Sequence, residues 1–409
     1  MIDSVVPPST IAQQDRDIRA WAFLAPDVAA EHAPPSADGS LSGLRFGVKD
    51  VMDVSGMPTC HGAALKDVQP ARFDAACVAI LRRAGAVPLG KTVTAEFAVS
   101  APGPTRNPWQ LEHTPGGSSS GSAAAVAAGM VPLCIGTQTG GSIIRPAAFN
   151  GVVGFKPGFG RVPRTGMQVL CDTLDTIGWF TNDLSLSKRV AELFMADIEP
   201  AYEEGRRLRI AVLPADEIGE LSADAKQSLE RAAQALTAHG ASVEQPEAGE
   251  LFCQALTLHA GIMQYELARG LLPVLHGEPE ALRPQTLAVI EAGLAITAQE
   301  YVRLQKQRQQ LHAEWLLRLS EYDLILTPSA PGTAPHGHSS TGSSVFNRTW
   351  SLLGWPCVHL PTGFGENGLP IGVQLVGRAG ADLRLLSLAE ALHPVLDRRT
   401  HRAPKPEAA

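Results

Sequence analysis

Serines in two glycine-rich loops could attack a carbonyl group if a base lies nearby. The segments GGSSSGS and TQTGGS, residues 116–122 and 137–142, flank a predicted helix of nearly all alanine, valine and glycine. Glycine permits positive φ, so successive N–H groups of such loops can converge on one point. A nest of this kind binds a phosphate or stabilises a developing oxyanion. One glycine–serine loop is usually a flexible turn, but two loops joined by a packed helix favour a site.

Two shorter patterns have the letters of known sites without their context. GAVPLGKT, residues 85–92, matches a phosphate-binding loop. Such a loop leads from a strand into a helix, whereas AVPL is predicted to be a strand that follows a helix. GSSSG, residues 117–121, matches a nucleophile elbow around Ser119, but no strand precedes it. Neither pattern predicts a site.

Three longer segments resemble the amidase signature family. They are GGSSSGSAAAVAAG (116–129), GTQTGGSIIRPAAFNG (136–151) and VVGFKPGFGRVPRTG (152–166). FGVKDVMDVSGMPT (46–59) is similar to the lysine-bearing strand of the family, and NGLPIGVQLVGR (367–378) to its closing strand. The resemblance runs from about residue 44 to 390. It implies a hydrolase of linear amide C–N bonds.

The resemblance implies a catalytic triad of Ser142 as nucleophile, Ser118 as proton relay and Lys49 as base. In this family the peptide bond before the relay serine is cis. A serine hydroxyl needs a base to take its proton, and lysine, with an ordinary pKa of about 10.4, serves only if it is held neutral. Burial in an apolar strand such as FGVKDV lowers a lysine pKa. Taken alone, Lys49 would instead be expected to pair with Asp50 or Asp53 at the surface.

The oxyanion-binding N–H groups fall, by the same resemblance, on one loop. They are the backbone groups of Thr139, Gly140, Gly141 and Ser142.

Residues that set the substrate are also implied by the resemblance. Many members have Asp where this chain has Gln138, and an arginine where it has Ile144; here the arginine is Arg145. TQTGGSIIRPAAF and residues 329–361 most resemble the malonamidase branch, in which the equivalent of Arg145 faces a substrate carboxylate with help from a glutamine that matches Gln264. Gly117 is expected to line the same site. The alternatives are an ion pair within the protein for Arg145 and an ordinary helix surface position for Gln264.

The elements that must position these residues alternate between strand and helix. Predicted strands cover 44–54, 86–92, 131–137, 208–214, 241–247, 322–331, 357–364 and 369–377; predicted helices cover 8–25, 74–85, 120–130, 224–240 and most of 250–318. The predicted fold is α/β: a single domain with a mixed, mostly buried β-sheet covered by helices, the amidase signature fold. One domain is expected over 1–409, with an N-terminal helix and linker at 1–43 and a helical insertion at about 200–320.

Composition excludes several classes of protein. The 409 residues are 44% hydrophobic and 18% charged with a net charge of −7, which is typical of a globular chain and argues against nucleic acid as a partner. The longest apolar stretch, 122–136, is too short to span a membrane, and the first residues lack the features of a signal peptide. Six scattered cysteines favour a reduced, cytoplasmic location. His336 and His338 have no Cys/His cluster around them, so no metal and no cofactor is predicted.

The predicted reaction is hydrolysis of a small carboxamide to a carboxylate and ammonia through an acyl-enzyme on Ser142, with malonamate-like substrates that carry a second carboxylate. The predicted partner is this small amide, and a homodimer is left open. Two alternatives remain: the catalytic subunit of a glutamine-dependent tRNA amidotransferase, and a non-catalytic ligand-binding homologue. The short N-terminus and Arg145 argue against the former, and the filled catalytic positions against the latter.

Overall fold

One mixed β-sheet organises the chain. The computed structural model describes residues 6–25, 40–197, 206–213 and 218–399. Its eleven strands in these ranges are β1 (Trp21–Leu24), β2 (Arg45–Lys49), β3 (Val87–Thr92), β4 (Leu133–Gln138), β5 (Val153–Lys156), β6 (Thr176–Thr181), β7 (Arg209–Val212), β8 (Ser242–Glu244), β9 (Leu324–Pro328), β10 (Cys357–Phe364) and β11 (Pro370–Val376). Their order is β1-β3-β2-β4-β6-β5-β10-β11-β9-β7-β8.

Helices pack against this sheet and against one another. They are α1 (Pro8–Ile18), α2 (Ala76–Arg83), α3 (Ser120–Ala127), α4 (Ile144–Asn150), α5 (Leu184–Glu192), α6 (Ala223–Ala238), α7 (Gly249–Gly270), α8 (Leu272–Gly277), α9 (Pro284–Leu294), α10 (Ala298–Arg318), α11 (Val345–Leu353) and α12 (Asp382–Leu396). Helix α6 contacts β9 and β11, α12 contacts β10, and α7 packs on α9, α10 and α11. The predicted α/β class with one mixed sheet covered by helices is confirmed. None of the helices in the described ranges is long and apolar enough to cross a membrane.

The site strands are β2 and its parallel neighbours. Strand β2 pairs in parallel with β3 on one side and with β4 on the other, with Val48 opposite Ile135. The carboxyl ends of parallel strands meet at one edge of a sheet. Lys49, the last residue of β2, therefore lies beside Thr137 and Gln138 at the end of β4.

Helix α3 lies very close to its neighbours, as its small side chains predict. A Cβ atom at Gly121 would be 2.1 Å from the carbonyl oxygen of Ala20 and 2.5 Å from the nitrogen of Val93. Only glycine fits at this position, because real Cβ atoms do not approach so closely. The packing fixes the chain on both sides of the first serine loop.

The predicted helix over 8–25 is wrong in its second half. Helix α1 ends at Ile18, and Arg19 then adopts a left-handed conformation with φ 55°. The carboxylate of Asp15 accepts the N–H of Ala20, and the chain continues as edge strand β1, antiparallel to β3. The predicted strand over 44–54 likewise ends early, at Lys49.

Other predicted elements are confirmed with small changes of boundary. GAVPLGKT holds the strand β3 after helix α2, as expected, and β10 has the bounds predicted for it. Strands β5 and β6 were not predicted. The division into one domain with a linker at 1–43 and an insertion at about 200–320 stays a prediction; residues 26–39 of that linker lie outside the described ranges, and β7 and β8 add strands to the sheet within the insertion range.

Candidate active site

Lys49 is fully buried at the carboxyl end of β2. Its Nζ donates to the Oγ of Ser118 and to the Oγ1 of Thr137, both at 2.7 Å. Burial lowers its pKa to about 7, although the charge of Asp175 raises it and that of Arg145 lowers it. A large fraction of Lys49 is thus a neutral amine near neutral pH and can accept a proton. The pairing with Asp50 is not formed: Asp50 binds the buried Nζ of Lys91 at 3.0 Å.

Ser118 is the one serine of its loop that contacts Lys49. The peptide bond between Gly117 and Ser118 is cis, as the family resemblance implies. The other loop serines make different bonds: Ser119 donates to the carbonyl of Thr137, and Ser122 to that of Ile135. These two hydroxyls hold helix α3 against β4. Ser119 and Ser122 thus have a structural role, whereas Ser118 binds Lys49.

Ser142 lies in the turn between β4 and helix α4. It is 8% exposed, and its side chain makes no hydrogen bond to another described residue. The N–H groups of Gly140, Gly141 and Ser142 also donate to no other group in the described ranges. A Cβ atom at Gly141 would lie 2.5 Å from Asn347 Oδ1, so this loop position requires glycine. Free N–H groups beside a reachable hydroxyl are what an oxyanion-stabilising loop needs.

Gln138 clamps the turn that carries Ser142. Its Oε1 accepts the N–H groups of Ile143 and Ile144 at 2.8 and 3.0 Å, and its Nε2 donates to Ser351 Oγ at 3.0 Å. Ser351 Oγ in turn donates to the carbonyl oxygen of Gly140 at 2.8 Å. One uncharged side chain therefore holds both sides of the turn.

Thr139 is fixed by two further groups that sequence reasoning missed. Its Oγ1 donates to Asp175 Oδ1 at 2.5 Å, and its carbonyl oxygen accepts from His259 Nε2 at 3.0 Å. Burial raises the pKa of Asp175 and lowers that of His259 to about 4. His259 is thus a neutral donor. Asp175 lies before β6 and His259 on α7, so no local pattern connects either with the serine loops.

Arg145 joins the two serine loops. It is 6% exposed; Nη2 donates to the carbonyl oxygen of Gly117 and to Thr341 Oγ1, and Nη1 donates to the carbonyl oxygen of Gly342. No described carboxylate forms an ion pair with it, and burial lowers its pKa to about 9. The alternative interpretation, an ion pair within the protein, is therefore not formed within the described residues, and the buried positive charge of Arg145 has no compensating carboxylate there.

Gln264 and Gly117, the other two predicted substrate-binding residues, differ in their contacts. The carbonyl of Gly117 is bound by Arg145, and a Cβ atom there would lie 2.5 Å from Thr341 Cγ2. Gln264 is half-buried on α7, and its side chain makes no hydrogen bond to another described residue. At 100° per residue it is about 140° around the helix from His259, which faces Thr139. Its substrate role stays a prediction.

Metal-binding residues do not cluster in the part of the chain that the structure describes: no three His, Cys, Asp or Glu side chains there could hold an ion.

A lysine bound to a serine beside a glycine loop with free N–H groups is an arrangement suited to cleaving carbonyl derivatives. The chain belongs to the amidase family, whose sequence profile matches residues 9–386. It is a hydrolase that acts on amide C–N bonds.

Relatives and solved structures cover nearly the whole chain. The A subunit of the glutamyl-tRNA(Gln) amidotransferase of Roseiflexus castenholzii is 34% identical over 440 residues, covering 93% of this chain and 89% of that protein. A crystal structure of an amidase is 31% identical with a TM-score of 0.85 and 95% coverage of both chains. The corresponding amidotransferase protein from Thermotoga maritima, also solved as a crystal structure, is 29% identical with a TM-score of 0.84, covering 98% of this chain and 93% of that one.

Proposed function

We propose that this protein hydrolyses a small carboxamide to a carboxylate and ammonia through an acyl-enzyme on Ser142. The observation that supports this most is the buried amine of Lys49, 2.7 Å from the hydroxyl of Ser118. A serine pair with a neutral lysine supplies both a nucleophile and the base that it requires. The roles of Lys49, Ser118 and Ser142 are part of this proposal.

In the first step, Ser142 Oγ attacks the amide carbon while its proton passes to Ser118, whose own proton passes to Lys49. The negative charge that forms on the carbonyl oxygen is stabilised by the N–H groups of the Thr139–Ser142 loop. Collapse of this intermediate expels the nitrogen, which takes the proton back from Lys49 through Ser118 and leaves as ammonia. Water then adds to the acyl-enzyme by the same relay and releases the carboxylate.

The substrate is proposed to carry a second carboxylate, as in malonamate. Support comes from the buried charge of Arg145, which no described carboxylate neutralises. Burying a lone charge costs several kcal/mol, and an anionic ligand offsets part of that cost. A small acidic amide would supply this negative charge near Arg145, where the two serine loops meet.

A Ser142→Ala variant tests the nucleophile. Ammonia release should fall to the residual rate of a site without its nucleophile, about 10³–10⁴ over water, because no acyl-enzyme can form. Thermal stability should stay near wild type, since the Ser142 hydroxyl makes no hydrogen bond within the described residues. Mass spectrometry of the intact wild-type protein with a slow ester substrate should show an adduct on Ser142. Undiminished ammonia release by the alanine variant would contradict the assignment.

A second candidate function is the catalytic subunit of a glutamine-dependent tRNA amidotransferase. It is favoured by the relatives that carry that name, at 29–34% identity. Glutamine hydrolysis that depends on added partner proteins would support it over the first proposal.

A further inference from the structure

Arg348 is a second arginine at the oxyanion loop, on helix α11. Its Nε donates to Ser344 Oγ at 3.1 Å. Ser344 packs directly on the loop: a Cβ atom at Gly141 would lie 2.6 Å from the Cβ of Ser344. The charge of Arg348 also lowers the pKa of Arg145 and of His259, as expected of a guanidinium near both.

The terminal nitrogens of Arg348 have no partner among the described residues, whereas those of its neighbours do. The terminal nitrogens of Arg145 donate hydrogen bonds to Gly117, Thr341 and Gly342. Arg308, which also acts on His259, donates to the carbonyl oxygens of Leu352 and Thr173. The terminal N–H groups of Arg348 are therefore free to bind a carboxylate in a bidentate manner, through two parallel hydrogen bonds.

No carboxylate within the described residues pairs with Arg348, which is partly buried. Arg145, close to it, also lacks such a pair. Two like charges beside one loop repel each other unless an anion neutralises them. The nearby His259 contributes no charge, because burial lowers its pKa to about 4. Asp175, which accepts from Thr139 Oγ1, supplies at most one negative charge against the two guanidinium groups. The net charge at this site is thus positive and points to an anionic ligand.

We infer that Arg348 is a specificity-determining residue that binds the substrate carboxylate through its terminal N–H groups, while Arg145 holds the carbonyl of Gly117 in position. This inference rests on the proposed amide hydrolysis. The substrate class it selects is a short carboxamide with a carboxylate a few atoms from the scissile bond, such as malonamate. A neutral amide of the same length would lack this contact.

The test compares two amide substrates, malonamate and its neutral methyl ester. Each is measured with wild type, Arg348→Gln and Arg348→Lys. The ratio of kcat/KM for the acid over the ester should fall about 10- to 100-fold in Arg348→Gln, because a hydrogen bond to a charged group is lost. Arg348→Lys should recover part of the ratio, since a point charge cannot form the fork. Arg303→Gln is the matched control: Arg303 is exposed on α10 and pairs with Glu300, so its ratio should equal that of wild type.

Binding is measured separately so that failure of the proposed hydrolysis is recognised. Calorimetric titration of malonate into Ser142→Ala, with and without Arg348→Gln, should show a similar loss of affinity without any turnover. Thermal unfolding of each variant checks that it is folded. An unchanged ratio together with unchanged malonate affinity overturns the inference, and so does a wild type that prefers the neutral ester. A wild type that hydrolyses neither amide contradicts the proposed hydrolysis instead, and malonate binding then still tests Arg348.

Discussion

At the scale of single residues, Lys49 connects burial with reactivity. Its pKa of about 7 makes the neutral amine, which is the form that accepts a proton, increase as pH rises through 7. We therefore expect kcat/KM to rise with pH and to level off above a midpoint near pH 7, far below the ordinary lysine value of about 10.4. A pH–rate profile of ammonia release measures this. A rate that does not change between pH 5 and 9 would contradict Lys49 as the base.

Lys49→Ala should lower kcat about 10²- to 10⁴-fold, the usual contribution of a positioned base. Lys66→Ala is the control, because the side chain of Lys66 is exposed and pairs with Glu280 at the surface. Lys91 would be a poor control: its removal leaves Asp50 buried without its partner, which costs about 3–5 kcal/mol. Equal activity of Lys49→Ala and Lys66→Ala would rule out the proposed base.

Arg145→Leu should affect every substrate, unlike Arg348→Gln. The substitution leaves the carbonyl oxygens of Gly117 and Gly342 without their donor, so the loop of Ser118 loses a constraint. We expect kcat to fall for acidic and neutral amides alike, with a lower melting temperature and on the order of 2–3 kcal/mol of lost stability. Measuring both substrates and the melting temperature on one preparation decides the role. Loss confined to acidic amides, at unchanged melting temperature, would instead make Arg145 the carboxylate-binding residue.

The sequence predicts those site residues that lie within a continuous motif, where the neighbouring residues belong to the same site. Lys49, Ser118 and Ser142 each lie in a continuous motif, so the family resemblance predicts the role of each from its own segment. Asp175 and His259 cannot. Each contacts the serine loops only through the folded sheet and helix α7, and a lone aspartate or histidine there has no distinguishing spacing.

At the scale of elements, the sequence pattern predicts whether a segment is a helix or a strand better than it predicts where that element ends. The prolines and the Ser9-Thr10 pair at its start predict one helix over 8–25, yet the chain turns at Arg19 and adds Trp21–Leu24 to the sheet. That strand exists because β3 offers it an edge, which is information from distant residues. Strand β10, by contrast, lies between Pro356 and Gly365, and these flanking turn residues mark its limits in the sequence itself.

Helix α3 makes an element-scale prediction. Gly121→Val would place atoms against the backbone of Ala20 and Val93, and backbone cannot move aside as a flexible side chain can. Since α3 begins just after Ser118, the substitution should lower stability by at least about 1–3 kcal/mol and reduce activity with it. Chemical denaturation measures the first and ammonia release the second.

Gly277→Ala in helix α8 is the matched control for this change. A Cβ atom there meets nothing within 4 Å, and no positive φ is required. It should unfold at the same denaturant concentration as wild type or slightly higher. A Gly121→Val protein as stable as Gly277→Ala would show that the close approach of α3 is not needed for folding.

At the scale of the whole molecule, the relatives raise the question of partners. The chain covers about nine-tenths of relatives named as glutamyl-tRNA(Gln) amidotransferase components, so the fold alone does not separate a self-sufficient amidase from one part of a larger enzyme. The site itself bears on the question. Lys49, Ser118 and Ser142 are at most 8% exposed, and every catalytic group of the proposal lies in this one chain.

We therefore expect the purified chain, with no other protein added, to release ammonia from small carboxamides. The net charge of −7 should also prevent tight binding of tRNA, a polyanion that requires basic residues to displace its counterions. Malonamate, its neutral methyl ester and glutamine are compared as substrates of the isolated chain, whose mass in solution is measured under the same conditions. The Ser142→Ala protein, prepared identically, controls for contaminating amidases. If malonamate is hydrolysed at a rate unaffected by tRNA, the chain acts alone, because nothing else supplies the nucleophile, the base or the oxyanion loop. If glutamine is the only substrate, and only once partner proteins are added, the amidotransferase function replaces the one proposed.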